Sequence, residues 1–301
     1  MKKIIVVISL LYLLILAFSI IINPQYFFST IVKTLEVWLY KVYPAIFTFY
    51  LAASILINFN ILNKFIKIFG FLFKRYRLNT RTLELFITSM FVGNPSSASL
   101  IITSVENNTI TKNEGLNLIK CASFLTPLFI LSFLSFNLKY AFVMILVHIF
   151  SSFILLLTIK QEDNHIEYIK RDGFYSFEQF LSSINKVMSL LIMIAGIMVF
   201  ANIVRESLDI SLNYFNINNF YINLILANIE VANGLNFIIN SGLDYKLMLI
   251  YFSFISSFGG FSVHMQVYNI INKYYSYSSF FKYRIYHAVT SSFLIFILLN
   301  I

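Results

Sequence analysis

The sequence predicts an all-α polytopic membrane protein. The expected architecture is an inverted repeat of two units, each with three transmembrane helices, an interfacial helix and a re-entrant helical hairpin. Three observations predict it. Apolar residues make up 59% of the 301-residue chain and charged residues only 12%, about half the charged share of a soluble domain. Apolar runs that reach bilayer-crossing length with their flanks recur along the chain. Two of these runs are interrupted, at Gly93-Asn94-Pro95-Ser96-Ser97 and at Gly259-Gly260-Phe261-Ser262-Val263-His264. Non-helical backbone at membrane depth is tolerated only where it is buried in protein or lines a cavity.

Taken in order, Met1-Lys2-Lys3 leads into an apolar run at 4–22. No small-x-small cleavage site follows it, so the run reads as a retained first span rather than a removed signal. Residues 29–42 repeat apolar positions three and four apart (Ile31, Leu35, Trp38, Leu39), which predicts an interfacial helix with Trp38 and Tyr40 at headgroup level. A span at 44–58, an amphipathic segment at 61–75, the interrupted hairpin at 83–118 and a span at 121–136 complete the first unit, residues 1–139. The second unit, residues 140–301, repeats the order: span 140–159, interfacial helix 174–186, span 187–204, amphipathic segment 219–240, hairpin 247–274 and span 285–300. Cys121 follows Gly93 by the same number of residues as His287 follows Gly259. Three full spans per unit make the second unit enter the membrane from the opposite side.

Positive charge sets the orientation. Lys2 and Lys3 place the N-terminus in the cytoplasm, as does the basic stretch at 64–81, and the hydrophilic linker 160–173 falls on the same side. Lys273, Lys282 and Arg284 fall on the other side, against the rule. The formal charge of +9 is dispersed beside apolar runs, which reads as membrane-face charge rather than a nucleic-acid surface. The sole cysteine, Cys121, excludes an intrachain disulfide and reads as a small packing residue.

Signatures of a soluble enzyme, a phosphate loop, a cofactor fingerprint and a metal motif are missing from the sequence, so no catalytic residue, cofactor or metal is expected. The chemistry concentrates at the breaks. Asn94, Ser96, Ser97 and Ser99 stand where a half-helix begins, and its free N–H groups and positive dipole end would suit a carboxylate. Gly259 and Gly260 allow close backbone approach to a ligand. Ser262 and Gln266 share one helical face, and His264 points elsewhere, as a ligand or as a packing residue. Thr126 precedes Pro127 inside a third span. Glu230, with Asn233 nearby, is the lone acid of an apolar, amide-bearing stretch; it reads either as a proton or cation site or as a headgroup-facing residue. Arg284 and His287 lie one turn apart at the head of the last span. Paired interrupted segments in corresponding halves point to a transporter's binding site. A non-transporting structural or assembly protein and an intramembrane enzyme are the alternative classes.

The same residues carry a resemblance. Phe91-Val92-Gly93-Asn94-Pro95-Ser96-Ser97-Ala98-Ser99-Leu100-Ile101, then Glu114 and Phe124-Leu125-Thr126-Pro127-Leu128-Phe129-Ile130, resembles the first motif region of the YlbJ-type sporulation integral membrane proteins. Phe258-Gly259-Gly260-Phe261-Ser262-Val263-His264-Met265-Gln266-Val267, followed by Phe280-Phe281, Arg284 and His287, resembles the second. Asn94 and Ser97 stand where that family usually carries an aromatic residue and a glycine. The resemblance implies membership of the nucleoside-transporter gate-domain group. It also implies a multi-pass location in a bacterial cell membrane, including one surrounding the forespore, and movement of a small organic anion, dipicolinic acid. The partners expected are that anion and the lipid bilayer; a homo-oligomer stays open, and nucleic acid is not expected.

Overall fold

Helices in this chain begin where a small polar side chain precedes an apolar run and can accept a free N–H. The computed structural model describes residues 13, 14, 16–58, 66, 80–122, 124–159 and 176–300, and every regular element among them is helical. Residues 16–22 are helical. There follow α1 (Pro24–Val37), a π turn (Trp38–Val42) and α2 (Tyr43–Asn58); then α3 (Thr80–Val92), α4 (Ser96–Glu106), α5 (Lys112–Cys121) and α6 (Pro127–Phe133). The second half contains α7 (Leu138–Leu157), α8 (Phe177–Tyr214), α9 (Phe220–Leu226), α10 (Val231–Ile239), α11 (Tyr245–Phe258), α12 (Gly260–Ile271) and α13 (Tyr277–Leu298). Capping boxes open α5 (Thr111 with Glu114) and α8 (Ser176 with Gln179), and Asn137, Asn219 and Asp244 cap α7, α9 and α11.

Among the described residues, four helical stretches are long and apolar enough to cross a membrane: Pro24–Ile57, Leu138–Leu157, Phe177–Tyr214 and Tyr245–Ile271. Their outer faces stay apolar and exposed, as at Phe142, Leu146 and Phe150 on α7 and Ile192 on α8. Serines, histidines, amides, Glu84, Glu230 and Arg284 are buried inside. Apolar groups outward and polar groups inward is the arrangement a lipid solvent favours.

Several expected boundaries move. The two interfacial helices are not separate: 29–42 runs through the π turn into 44–58, and 174–186 continues into a 38-residue helix that ends at Tyr214. Pro44 stands at the first junction, directly after the π turn, and the helix carries through it; no helix breaker stands at the second. The run 121–136 is not one span, because α5 stops at Cys121 and the seven-residue α6 starts at Pro127. Pro127 lacks an N–H and Thr126 caps the new helix, which is far too short to cross a bilayer. Cys121 therefore closes a helix, whereas His287 lies inside the unbroken α13 despite the equal spacing. The segment 219–240 splits into α9 and α10 at residues 227–230. Apart from residue 66, the segment 61–75 lies outside the described residues, as does the linker 160–173.

The second half packs α13 on α11 and α7, and α11 on α10. The long α8 lies along α2, α1 and α12, while α3 packs on α4 and α2. This leaves α4 against α12, and the breaks of the two halves meet where these groups join.

Candidate functional site

Two pairs of helix breaks build the site. In the first, Gly93 ends α3 with φ of 65°, a left-handed conformation that suits glycine. The Asn94–Pro95 bond is cis. The Asn94 N–H donates to the Phe124 carbonyl at 2.7 Å, which ties this break to the one between α5 and α6. A Cβ on Gly93 would stand 2.5 Å from the Thr126 nitrogen and 2.9 Å from the Phe124 oxygen, so the two backbones meet through the missing side chain. Pro95 is the N-cap of α4.

The second pair repeats the plan with other residues. Gly259 and Gly260 turn the chain at φ of 90° and 62°. The N–H groups of Phe261 and Ser262 donate to the carbonyls of Asn228 and Ile229 at 2.6 and 2.9 Å. A Cβ on Gly260 would lie 3.1 Å from the Asn228 oxygen and 3.3 Å from the Val231 nitrogen. The Val231 N–H in turn donates to the Ser262 hydroxyl at 3.5 Å.

Each of the four breaks ends in a helix start, at α4, α6, α10 and α12. Residues from all four line one cavity of about 30 Å³, walled elsewhere by α2 and α8. That volume suits about one or two waters. Four groups give it polarity. Asn94 lines the cavity, and its carbonyl oxygen accepts from the Ser97 hydroxyl at 2.9 Å. Thr126 caps α6 by accepting from the Phe129 N–H at 3.0 Å. Gln266 is 2% exposed, lines the cavity, and its amide makes no hydrogen bond with another described residue. Glu230 is fully buried and caps α10, its two oxygens accepting from the N–H groups of Ala232 and Asn233 at 3.1 and 2.9 Å.

Behind Glu230 an amide chain crosses to the first helix. The Asn233 side chain donates to Asn202 of α8, and Asn202 donates to the Thr34 hydroxyl of α1 at 2.9 Å. Thr34 returns its own proton to the Thr30 carbonyl at 2.7 Å. Along this face Arg205 pairs with Glu206, which also accepts from Tyr26.

A groove of about 810 Å³ opens between α4, α8 and α12. Ser99, Lys186 and Asn269 lie on its wall. It stops one helical turn short of the cavity: Ser99 follows Pro95 by one turn, Ile270 follows Gln266, and Leu190 precedes Ile194.

The structure thus gathers Asn94, Thr126, Gln266 and Glu230 at the cavity, with Gly259, Gly260 and Ser262 forming its backbone clasp. Ser96 is buried beside it with its hydroxyl unpartnered. Asn233 stands behind Glu230, and Ser99 faces the groove. His264 is turned away. Its Nε2–H donates to the Phe258 carbonyl at 3.0 Å, so Nδ1 accepts from the Tyr277 hydroxyl at 2.6 Å, and Phe258, Phe280 and Phe281 enclose the ring.

Arg284 and His287 belong to a second polar cluster, joined by His148, which the sequence hid inside an apolar span. His148 lies between the Ser256 and Ser257 hydroxyls at 3.1 and 2.9 Å, and Ser257 meets Ser291 at 2.6 Å. The His287 Nε2–H donates to the His148 carbonyl at 3.2 Å, and Phe124 stacks on both imidazoles. Arg284 is 1% exposed and donates to the Lys120 carbonyl at 3.1 Å, a cation on the negative end of α5. The cluster therefore supports the 124–126 break from behind, opposite the cavity.

No metal-holding group of His, Cys, Asp and Glu forms among the described residues. Comparison of the chain with known proteins finds no matching family model and no significant match to a curated protein or a solved structure.

Proposed function

We infer that the chain is a membrane permease for a small organic anion, working by alternating access around the four breaks. One observation carries this reading: the breaks before α4, α6 and α10 and the first two turns of α12 line a single cavity. Helix N-termini carry positive dipole charge that favours carboxylates, and the first N–H groups of α6, α10 and α12 are here held by Thr126, Glu230 and the Asn228 and Ile229 carbonyls. The Asn94 and Gln266 amides add donors, and apolar walls from Val42, Ile46 and Met198 suit a flat organic body. A cavity of about 30 Å³ is an occluded form, because organic ligands need several hundred Å³. Loading requires the turn that separates cavity from groove to move.

The motif resemblance makes dipicolinic acid the first anion to try, and a cell membrane of a sporulating bacterium the location to examine. The purified chain in liposomes is expected to admit dipicolinate faster than empty liposomes do. Converting Asn94→Leu and Gln266→Leu together removes two donors and fills the cavity, and is expected to lower uptake by about tenfold or more. Uptake by the wild-type chain no faster than by empty liposomes, for dipicolinate and benzoate alike, overturns the reading.

A further inference from the structure

Glu230 stands inside a cavity otherwise suited to anions, and that placement needs a reason. Its carboxylate is fully buried, lines the cavity and occupies the two N–H groups that open α10. No described residue forms an ion pair with it; the two ion pairs found are Arg81 with Glu84 and Arg205 with Glu206. Across the cavity the Gln266 amide, 2% exposed, has no hydrogen-bond partner among the described residues. The site thus holds one anion of its own and one polar group still waiting for a ligand.

We propose that Glu230 is a tethered competitor of the transported anion, so that substrate binding is tied to its protonation. This rests on the permease reading above. With Glu230 ionised, its two oxygens hold the Ala232 and Asn233 N–H groups, and a second carboxylate entering the cavity meets like charge at close range. When a proton adds to the Glu230 carboxylate, the neutral acid releases its hold on those N–H groups. The substrate carboxylate accepts their hydrogen bonds, and the Gln266 amide donates to its other oxygen. One proton and one anion are then loaded together. When the anion leaves, Glu230 loses the proton to the same side and its carboxylate returns to the helix start, so each cycle moves one proton with one anion.

The surroundings leave Glu230 as the group able to do this. Of the charged groups on the helices packed around α10, Arg205 of α8 is the one whose charge reaches the carboxylate, and Arg205 is itself paired with Glu206. On α12, His264 faces Phe258 and Tyr277, and Tyr268 is exposed. On α11, Tyr245 and Lys246 are exposed at its first turn, and Tyr251 is partly buried in the apolar core away from the cavity wall. Tyr221 of α9 is exposed. From α8, Glu178 and Lys186 face the groove, while Asp209 bonds the Asn213 and Asn218 amides.

The test uses the full chain in liposomes, dipicolinate as the probe and an entrapped pH dye. For the wild type, uptake is expected to rise as pH falls from about 8 to about 6, by up to about tenfold per pH unit, the limit for one linked proton. The lumen is expected to acidify as the anion enters. Glu230→Gln is expected to carry the anion with no pH dependence and no acidification. Glu230→Thr supplies a second neutral variant with a good capping hydroxyl, should the glutamine chain fail to fold. Anion uptake that keeps the wild-type pH profile and acidification in either folded variant overturns the role of Glu230 and leaves the permease reading standing. Absence of uptake by the wild type removes both.

Discussion

The two break pairs share a design and differ in one group. Each sets a left-handed glycine, Gly93 or Gly260, against the backbone of a second break. Each ties the two breaks with backbone N–H to carbonyl bonds, and each starts a further helix from the second break. That helix is capped by neutral Thr126 in the first half and by Glu230 in the second. One architecture therefore holds a permanently neutral cap facing a cap that can gain or lose charge. On the permease reading proposed above, the first pair would position the anion and the second would decide when it enters.

The packing of the pairs differs as well, and the largest expected effects lie there. Gly93→Ala places a methyl 2.5 Å from a backbone nitrogen at a positive φ. Neither atom can yield without moving the break, so the loss is expected to exceed about 4 kcal/mol, enough to prevent folding. Gly260→Ala suffers the same left-handed conformation, but its nearest atom would be 3.1 Å away. Its loss is expected to be smaller, about 1–2 kcal/mol for the conformation with a further cost for easing the Asn228 carbonyl away. Thermal unfolding in detergent, with size-exclusion profiles for chains that do not unfold cooperatively, ranks the two. An equal or reversed ranking breaks the claim that the first pair is the tighter clasp.

Much of this was legible from residue type. Glycine, proline and hydroxyl clusters inside apolar runs located the breaks at 93–97 and 259–260, because only those residues suit a turning backbone at depth. The separation of His264 from the Ser262 and Gln266 face followed from helical periodicity alone. Other features depended on contacts between distant segments. Thr126-Pro127 stood inside an expected span, and it is the bond from the Asn94 N–H to the Phe124 carbonyl that joins it to the first break. The break at 227–230 carries no proline, and its one local sign is Glu230 as a carboxylate N-cap ahead of Val231. His148 is flanked by Val147, Ile149 and Phe150, so hydropathy concealed a ring that needs two serines from a helix about a hundred residues away. Arg284 and His287 carry the right chemistry for an anion, yet packing gives them to α5 and to His148, on the far side of the break.

The smallest effect sharpens the comparison most. Thr126→Ala removes a neutral cap from a seven-residue helix, which is expected to lower stability by about 1 kcal/mol. Glu230→Thr replaces a charged cap with the neutral kind already used by the first pair. It gives up two hydrogen bonds to a carboxylate, but it also removes the burden of a fully buried charge. These contributions oppose each other, so stability is expected to stay within about 1 kcal/mol of wild type. Unfolding midpoints of the two single variants and the double variant measure this directly. Independent breaks give additive losses, whereas breaks that share one cavity give a coupling of about 0.5 kcal/mol or more. Because residues from both pairs line the same 30 Å³ space, the double variant is expected to depart from additivity, and strict additivity would mean that the two pairs act as separate clasps rather than as one site.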